Sequence, residues 1–254
     1  RRGASREARG TEPFVEVSWE KAIALVAEEL SRVRSSHGNE SIFGGSYGWS
    51  SAGRFHHAQS QVHRFLNVFG GYSFFKDTYS NAAGRRILPY AIGELDRLRV
   101  NQTTWATLAD HCEMFVAFGG LPTRNSQVNS GGANDHAVPY WIGELQRRGV
   151  EFVNVSPIRD DLDDVPDAEW LAIRPGSDTA FILALCHTLI TEDLYDRDFV
   201  DPSTVGFAQS LADVRGAGDR TPKSCDWAAP LPGVAGHDIR RLARRMARKR
   251  AMVN

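Results

Sequence analysis

Cysteine is scarce in this sequence, and the few cysteines stand far apart. Cys112, Cys186 and Cys225 form no pair with the C-x-x-C spacing that zinc sites and redox motifs use. Three widely separated cysteines also disfavour a disulfide framework. We therefore expect free, buried thiols that serve packing.

Excess charge and long apolar runs are missing as well. The 254 residues carry a formal net charge of −1, so no overall field attracts nucleic acid or an anionic membrane. No apolar run approaches the length of a membrane span, and no apolar core follows Arg1-Arg2-Gly3 as it would in a signal peptide. The sequence thus predicts a globular protein with no nucleic-acid partner and no membrane span.

Apolar residues recur at helical and strand-like spacing along the chain. The first half predicts helices after Ser18, from Phe55 to Leu66 and from about Ser80, with a short strand at Ser41–Gly45. The second half predicts strands at 114–118, 151–155 and 170–173, helices at 136–148, from 178 and from 238, and a last strand from 252. Alternating strands and helices indicate an α/β fold with Rossmann-like parallel sheets and flanking helices.

This pattern suggests three parts of the chain. We expect an irregular segment at residues 1–13, an α/β domain at 14–108 and a Rossmann-like domain at 109–254. The polar start and the strand that begins at Met252 and then stops indicate a fragment of a longer protein. Localisation, cytoplasmic or periplasmic, stays open because a targeting signal would stand before Arg1.

Three unusual loops follow the predicted strands, at 119–125, 156–159 and 174–178. Each joins Gly or Pro to an Arg or a small hydroxyl residue, where a strand ends and a helix follows. Ligands of parallel sheets bind at such ends, and backbone N–H groups with a guanidinium suit a pyrophosphate. The dinucleotide fingerprint G-x-G-x-x-G is absent, which disfavours NAD or FAD. The alternative is that all three are tight turns and helix caps without a ligand.

Several short motifs occur in one order along the chain: Ser46-Tyr-Gly-Trp49, Asp77-Thr-Tyr-Ser80, Thr103-Thr-Trp105, Gly120-Leu-Pro-Thr-Arg-Asn125, Ser156-Pro-Ile-Arg159, Arg174-Pro-Gly-Ser-Asp178 and Thr204-Val-Gly-Phe207. Together they resemble the molybdopterin oxidoreductase family, in its dimethyl sulfoxide, trimethylamine N-oxide and biotin sulfoxide reductase branch. The resemblance runs from about Glu12 to the last residue. It implies the fold of the central domains of dimethyl sulfoxide reductase, with the metal ligand in 14–108 and a guanine-dinucleotide domain at 109–254.

The resemblance implies a bis(molybdopterin guanine dinucleotide) molybdenum cofactor with Ser80 as the protein ligand to the metal. The intervals of Ser80 from Trp49 and Gly71 match the family pattern. A serine ligand implies reduction of S-oxides or N-oxides, whereas Cys, selenocysteine or Asp goes with nitrate and formate chemistry. The alternative for Ser80 is a helix N-cap, since Ala82 and Ala83 follow it.

The resemblance also implies the remaining site residues. Tyr47 and Trp49 would line the catalytic site with Ser80; the alternative is that both are core aromatics. Residues implied to bind the cofactor are Trp49, Arg124, Asn125, Ser126, Ser156, Pro157, Arg159, Pro175, Gly176 and Asp178. Two positions depart from the family pattern, because Asp77 stands one place early before Tyr79-Ser80 and Ser156 replaces a frequent Asn.

The implied reaction is oxygen-atom transfer from a small S-oxide or N-oxide such as dimethyl sulfoxide, biotin sulfoxide or methionine sulfoxide. An unidentified electron donor and the rest of the full-length chain would be its partners. Two alternatives stay open: an NAD-type Rossmann oxidoreductase, and a cofactor-binding fragment that is inactive alone.

Three groups of charged residues or histidines could suggest a metal or nucleic-acid site, but we expect none of them to bind a ligand. We expect the histidines at 56, 57 and 63 to be surface or core residues, the acidic loop 160–164 to be solvated, and the basic cluster 240–250 to be a solvated helix face.

Overall fold

A computed structural model describes residues 10–11, 13–46, 55–78, 80–127 and 134–254. Its contacts divide the chain into an N-terminal unit, which ends at Ile92, and a C-terminal unit, which begins at Gly93. The division lies earlier than the boundary after residue 108 that the sequence suggests. Within the described residues, no helix combines the length and the apolar character that crossing a membrane requires.

Helices dominate the described part of the N-terminal unit: α1 at Trp19–His37, α2 at Ala58–Val68 and α3 at Ala82–Ala91. The start of α1 follows the prediction, because the Ser18 hydroxyl accepts a hydrogen bond from the Lys21 N–H at 3.4 Å. The buried hydrophobic residues of this unit's described part are Ile42 and Leu66.

The predicted strand at Ser41–Gly45 is wrong in extent. The chain forms a 3-10 turn at Asn39–Ser41, followed by one parallel bridge between Phe43 and Ser73. The bridge rests on two backbone hydrogen bonds, from Gly44 N–H to Ser73 O and from Ser73 N–H to Ile42 O. Gly44 and Gly45 weaken a strand because they add backbone entropy and no packing side chain, so the ladder goes no further.

The C-terminal unit contains a four-stranded sheet, as the strand–helix alternation predicts. Its strands are β1 at Met114–Phe118, β2 at Glu151–Val155, β3 at Glu169–Leu171 and β4 at Ala251–Val253. The order is β3-β2-β1-β4, and each neighbouring pair is parallel. All four strands therefore end at the same edge.

Helices cover both faces of this sheet. In chain order they are α4 at Leu95–Val100, α5 at Trp105–His111, α6 at Val138–Arg147, α7 at Asp178–Thr191, α8 at Arg197–Ser203, α9 at Phe207–Val214, α10 at Cys225–Ala228 and α11 at Gly236–Met246. Val116 and Val153 face α7 and α11, whereas Phe115 and Phe152 face α5 and α6. Leu108 of α5 packs in the same hydrophobic cluster as Phe115 and Phe152, so α5 is part of the C-terminal unit.

Arginines of α11 form ion pairs with carboxylates of the sheet. The expected solvated face is confirmed at Arg241 and Arg244, whose side chains are 51% and 49% exposed, whereas Arg245 is partly buried. Arg245 pairs with Glu151 at 2.9 Å and also with Glu169, which accepts Arg241 at 2.5 Å. Lys249 pairs with Glu151. Burial raises the pKa of Glu169, but the Arg245 and Arg241 guanidinium groups outweigh it and hold that pKa below its usual range.

A tight turn leaves β1 through Gly119 and Gly120, both at positive φ, +79° and +74°. The Leu121 N–H then donates to the Asp161 carbonyl oxygen at 2.7 Å. A Cβ at Gly120 would lie 2.4 Å from that oxygen, whereas a Cβ at Gly119 would meet open space. The close approach of the two segments therefore requires glycine at position 120.

Glu169→Gln tests the ion pairs of α11. Removing the charge is expected to lower the free energy of unfolding by about 1 kcal/mol at neutral pH, as for a networked surface pair. A carboxylate whose pKa is lowered on folding stabilises the fold above its unfolded pKa, near 4.5, and this contribution is lost as the pH falls further. Urea denaturation across this pH range measures the difference, with the exposed Glu28→Gln as control. A difference that stays constant below pH 4.5 would contradict the account.

The paired glycines separate backbone strain from crowding. Gly119→Ala should cost about 1 kcal/mol, the strain of a left-handed alanine. Gly120→Ala should cost about 1–3 kcal/mol more, because its methyl group also collides with the Asp161 backbone. Thermal or urea denaturation of both variants gives the comparison, and equal costs would show that the approach of the two segments is not tight.

Candidate functional site

Ser80 lies beside a cavity of about 710 Å³ in the N-terminal unit. Aromatic, polar and small residues line the cavity: Phe43, Phe75, Lys76, Asp77, Thr78, Ser80 and Ala82. The bridge between Phe43 and Ser73 forms one side, and the turn that leads into α3 forms the other. The cavity thus combines an apolar wall with a hydroxyl.

The surroundings of Ser80 leave its hydroxyl available. Asn81, not Ser80, occupies the N-cap position of α3, so the helix-cap alternative for Ser80 is wrong. The Ser80 backbone N–H donates to the Thr78 hydroxyl at 3.3 Å, but within the described residues its own Oγ makes no hydrogen bond. The residue is exposed and faces the cavity rather than the core.

Asp77 shares the Ser80 cavity and has an unusual backbone, with φ at +73°. Its side chain is 17% exposed and pairs with Arg86 at 3.2 Å and Arg85 at 3.6 Å. These pairs fasten the turn before Ser80 to α3. Sequence reasoning noted Asp77 only as a departure from the family motif.

Tyr47 and Trp49 lie outside the described residues. The histidines take ordinary contacts: His63 hydrogen-bonds Tyr72, and His57 hydrogen-bonds Ser60 at 2.5 Å. Over the described ranges no group of three or more His, Cys, Asp or Glu side chains could hold a metal ion.

The sheet brings the three predicted loops to one edge, because β1, β2 and β3 end there in parallel. In the first loop a 3-10 turn at Thr123–Ser126 carries Arg124, Asn125 and Ser126. The Ser126 hydroxyl donates to Thr123 O at 2.8 Å, and Asn125 N–H donates to Pro122 O at 2.9 Å. Arg124, 59% exposed, points its guanidinium at Asp161 at 2.6 Å.

The second loop begins with Ser156, which is fully buried. Its hydroxyl donates to Asp161 at 2.7 Å and accepts from the Ile158 N–H at 3.2 Å. Pro157 and Arg159 are exposed beside it, and Arg159 lines a smaller cavity of about 230 Å³ with Asn154 and Trp170. In the described part of the chain the Arg159 guanidinium has no hydrogen-bond partner, so it is open to an anion.

Asp161 is the residue that sequence reasoning missed. It stands in the acidic loop expected to be solvated, yet its side chain is only 13% exposed and holds Arg124 and Ser156 together. Asp164 accepts from the Thr123 hydroxyl, and burial with the charge of Asp163 raises the pKa of Asp164. The acidic loop is therefore a structural part of the first two loops.

The third loop turns at Pro175 and Gly176, whose φ is +79°, and opens α7 with Asp178 in its first turn. Arg174 is engaged elsewhere, because its guanidinium donates to Pro230 O at 2.7 Å. Ser177 donates to Arg174 O rather than capping the helix. Among described residues nothing hydrogen-bonds the half-buried Asp178 carboxylate, which leaves it open to donors of a ligand.

Each unit, taken by itself, presents groups that suit one kind of ligand. In the N-terminal unit, Ser80 offers a hard oxygen donor beside a cavity. In the C-terminal unit, Arg159 offers a cation and Asp178 an acceptor at a helix start, both at the edge where parallel sheets bind nucleotides.

Known proteins match this chain over nearly its whole length. The chain is 41% identical to a biotin sulfoxide reductase of Cereibacter sphaeroides over 253 residues, which cover 100% of this chain and 34% of that protein. It is 36% identical to a dimethyl sulfoxide/trimethylamine N-oxide reductase of Rhodobacter capsulatus, over 98% of this chain and 30% of that protein. This chain therefore spans about a third of the length of these relatives.

A solved structure and a family model complete the comparison. The fold resembles acetylene hydratase from Pelobacter acetylenicus with a TM-score of 0.57 and 21% identity, over 94% of this chain and 29% of that one. At this identity the likeness supports the α/β fold alone. The sequence model of the molybdopterin oxidoreductases matches residues 2–252. The chain therefore belongs to the molybdopterin oxidoreductase family.

Proposed function

We propose that the full-length protein is a molybdenum-dependent oxidoreductase that reduces a small S-oxide or N-oxide by oxygen-atom transfer. The proposed substrate class includes dimethyl sulfoxide, biotin sulfoxide and methionine sulfoxide. The observation that carries the proposal is the position of Ser80. Its hydroxyl has no hydrogen-bond partner among the described residues and faces a cavity, in a chain of this family. The printed names of the relatives, which are S-oxide and N-oxide reductases, support the same substrate class.

The cofactor we propose is bis(molybdopterin guanine dinucleotide) molybdenum, which supplies the two-electron redox chemistry when bound. Ser80 Oγ would be the protein's ligand to the metal, since an oxygen donor suits a high-valent hard cation. The charge of a bound metal would favour the deprotonated hydroxyl, so Ser80 would bind as an alkoxide. Asp77 and its arginine partners hold the turn that presents Ser80.

The nucleotide end is assigned to the sheet edge of the C-terminal unit. Arg159 and Arg124 would pair with the pyrophosphate, and Asp178 would accept the N–H donors of guanine. Asn125, Ser126, Ser156, Pro157, Pro175 and Gly176 shape the loops around it. Tyr47 and Trp49 are proposed to line the substrate pocket and orient the oxide, and Trp49 also to contact the cofactor.

Ser80→Ala in the full-length protein tests the metal ligand. Losing the only proposed protein ligand should lower sulfoxide reduction by at least about a hundredfold, because changing a residue that only supports a metal ligand already costs about 10- to 100-fold. The X-ray absorption spectrum should also show one oxygen atom fewer around the molybdenum. Methyl viologen oxidation with dimethyl sulfoxide and with trimethylamine N-oxide measures the reaction.

The control is Ser36→Ala, which removes an exposed hydroxyl from α1 and should change neither property. Unchanged sulfoxide reduction by Ser80→Ala would sink the proposed ligand. A protein that binds molybdenum and cofactor but reduces no oxide would instead favour the second candidate, a cofactor-binding protein without this activity.

Asp178→Asn tests the guanine contact. An amide can accept only on one atom, so the variant should retain about tenfold less cofactor, the scale of one lost charge-assisted pair. Guanine released by acid hydrolysis, per mole of protein, is the measurement. Asp198→Asn, in the first turn of α8, changes the same group at another helix start and is the control. Equal guanine content in all three proteins would remove Asp178 from the site.

A further inference from the structure

One carboxylate joins the loop that follows β1 to the loop that follows β2. The Asp161 side chain accepts a hydrogen bond from Arg124 Nη2 on Oδ1 at 2.6 Å and from Ser156 Oγ on Oδ2 at 2.7 Å. Arg124 belongs to the first loop and Ser156 to the second. Both oxygens of Asp161 are thus engaged, each with a different loop.

The backbone of Asp161 strengthens this connection. Its carbonyl oxygen accepts from the Leu121 N–H at 2.7 Å, and Gly120 packs so close that a Cβ there would lie 2.4 Å from Asp161. The first loop therefore contacts Asp161 through backbone and side chain alike. Two separate contacts of this kind fix the orientation of the loop as well as its distance.

The exposure of the partners of Asp161 shows which hydrogen bond is shielded from water and which side chain can still reach a ligand. Ser156 is fully buried and Asp161 is 13% exposed, so their hydrogen bond is shielded from water. Arg124 is 59% exposed and uses one Nη2 on Asp161. A guanidinium has five N–H donors in a plane, so Arg124 can hold Asp161 and still present donors to an anion.

We propose that Asp161 is a positioning residue of the nucleotide site, which holds the two loops in register and aims Arg124 at the pyrophosphate. The identity of that ligand rests on the proposed function. Asp161 itself bears a negative charge and would repel a phosphate, so it acts through Arg124 and Ser156 and not by contact.

Asp161→Asn removes the charge of this side chain while keeping its size. That charge holds the Arg124 guanidinium. The Ser156 hydroxyl, which donates to Asp161 Oδ2, would have to accept from the NH₂ instead. The neighbouring Asp160→Asn is the matched control, because it is an exposed carboxylate of the same loop.

The experiment uses the full-length protein prepared without cofactor, with guanosine diphosphate as the probe in calorimetric titrations. Asp161→Asn is expected to weaken binding about tenfold, the lower scale for removing an outer-shell partner. Asp160→Asn should bind like wild type. Hydrogen exchange of the peptide spanning 119–127 should accelerate in Asp161→Asn alone.

A double-mutant cycle gives a readout that general destabilisation would not move. If Asp161 acts through Arg124, then Asp161→Asn should cost much less affinity in an Arg124→Gln background than in wild type. Melting temperatures of all variants, measured in parallel, show whether lost affinity merely follows lost stability.

Three outcomes would overturn the proposal: wild-type affinity in Asp161→Asn, additive effects of the two substitutions, or no binding of guanosine diphosphate by wild type. The molybdenum content of protein made in a cofactor-producing host distinguishes failure of the Asp161 proposal from failure of the proposed function. Wild type that contains molybdenum, together with an Asp161→Asn variant that retains nucleotide normally, would leave the proposed function intact and remove only the role of Asp161.

Discussion

The parallel pairing of β1 with β2 is the constraint on which the C-terminal unit depends. Its register sets Phe118 opposite Val155, so the first and second loops leave the sheet side by side. Apolar side chains on both faces fix that register, because a slip of one residue would exchange the two buried sets. The contact of Asp161 with both loops is possible only once this register exists.

The sequence predicted the central strands and the helices between them, but not the contacts between the loops. The strands predicted at 114–118 and 151–155 form β1 and β2 with the predicted bounds. Residues 114–118 are apolar throughout, as expected of a parallel strand that is buried on both faces. Asp161 could not be found in this way. Its partner Arg124 lies 37 residues away, and only the folded sheet brings a carboxylate of an acidic, apparently solvated segment to that arginine.

The N-terminal unit was harder to predict, for a physical reason. Only Ile42 and Leu66 are buried hydrophobics in its described part, so local apolar spacing carries less information about tertiary structure. The segment at Ser41–Gly45 illustrates this, because two glycines and a single partner residue give a bridge in place of a strand. Ser80 is proposed as the metal ligand through motif resemblance, and the structure places Asn81 rather than Ser80 at the helix cap.

The central claim is that this chain contributes a serine ligand to a molybdenum that is bound by guanine-containing pterin. Metal analysis of the purified full-length protein, combined with assay of released pterin and guanine, tests it most directly. The account predicts molybdenum in stoichiometric amount, together with both organic components. Protein that is folded and made in a cofactor-producing host, yet contains no molybdenum, would contradict it.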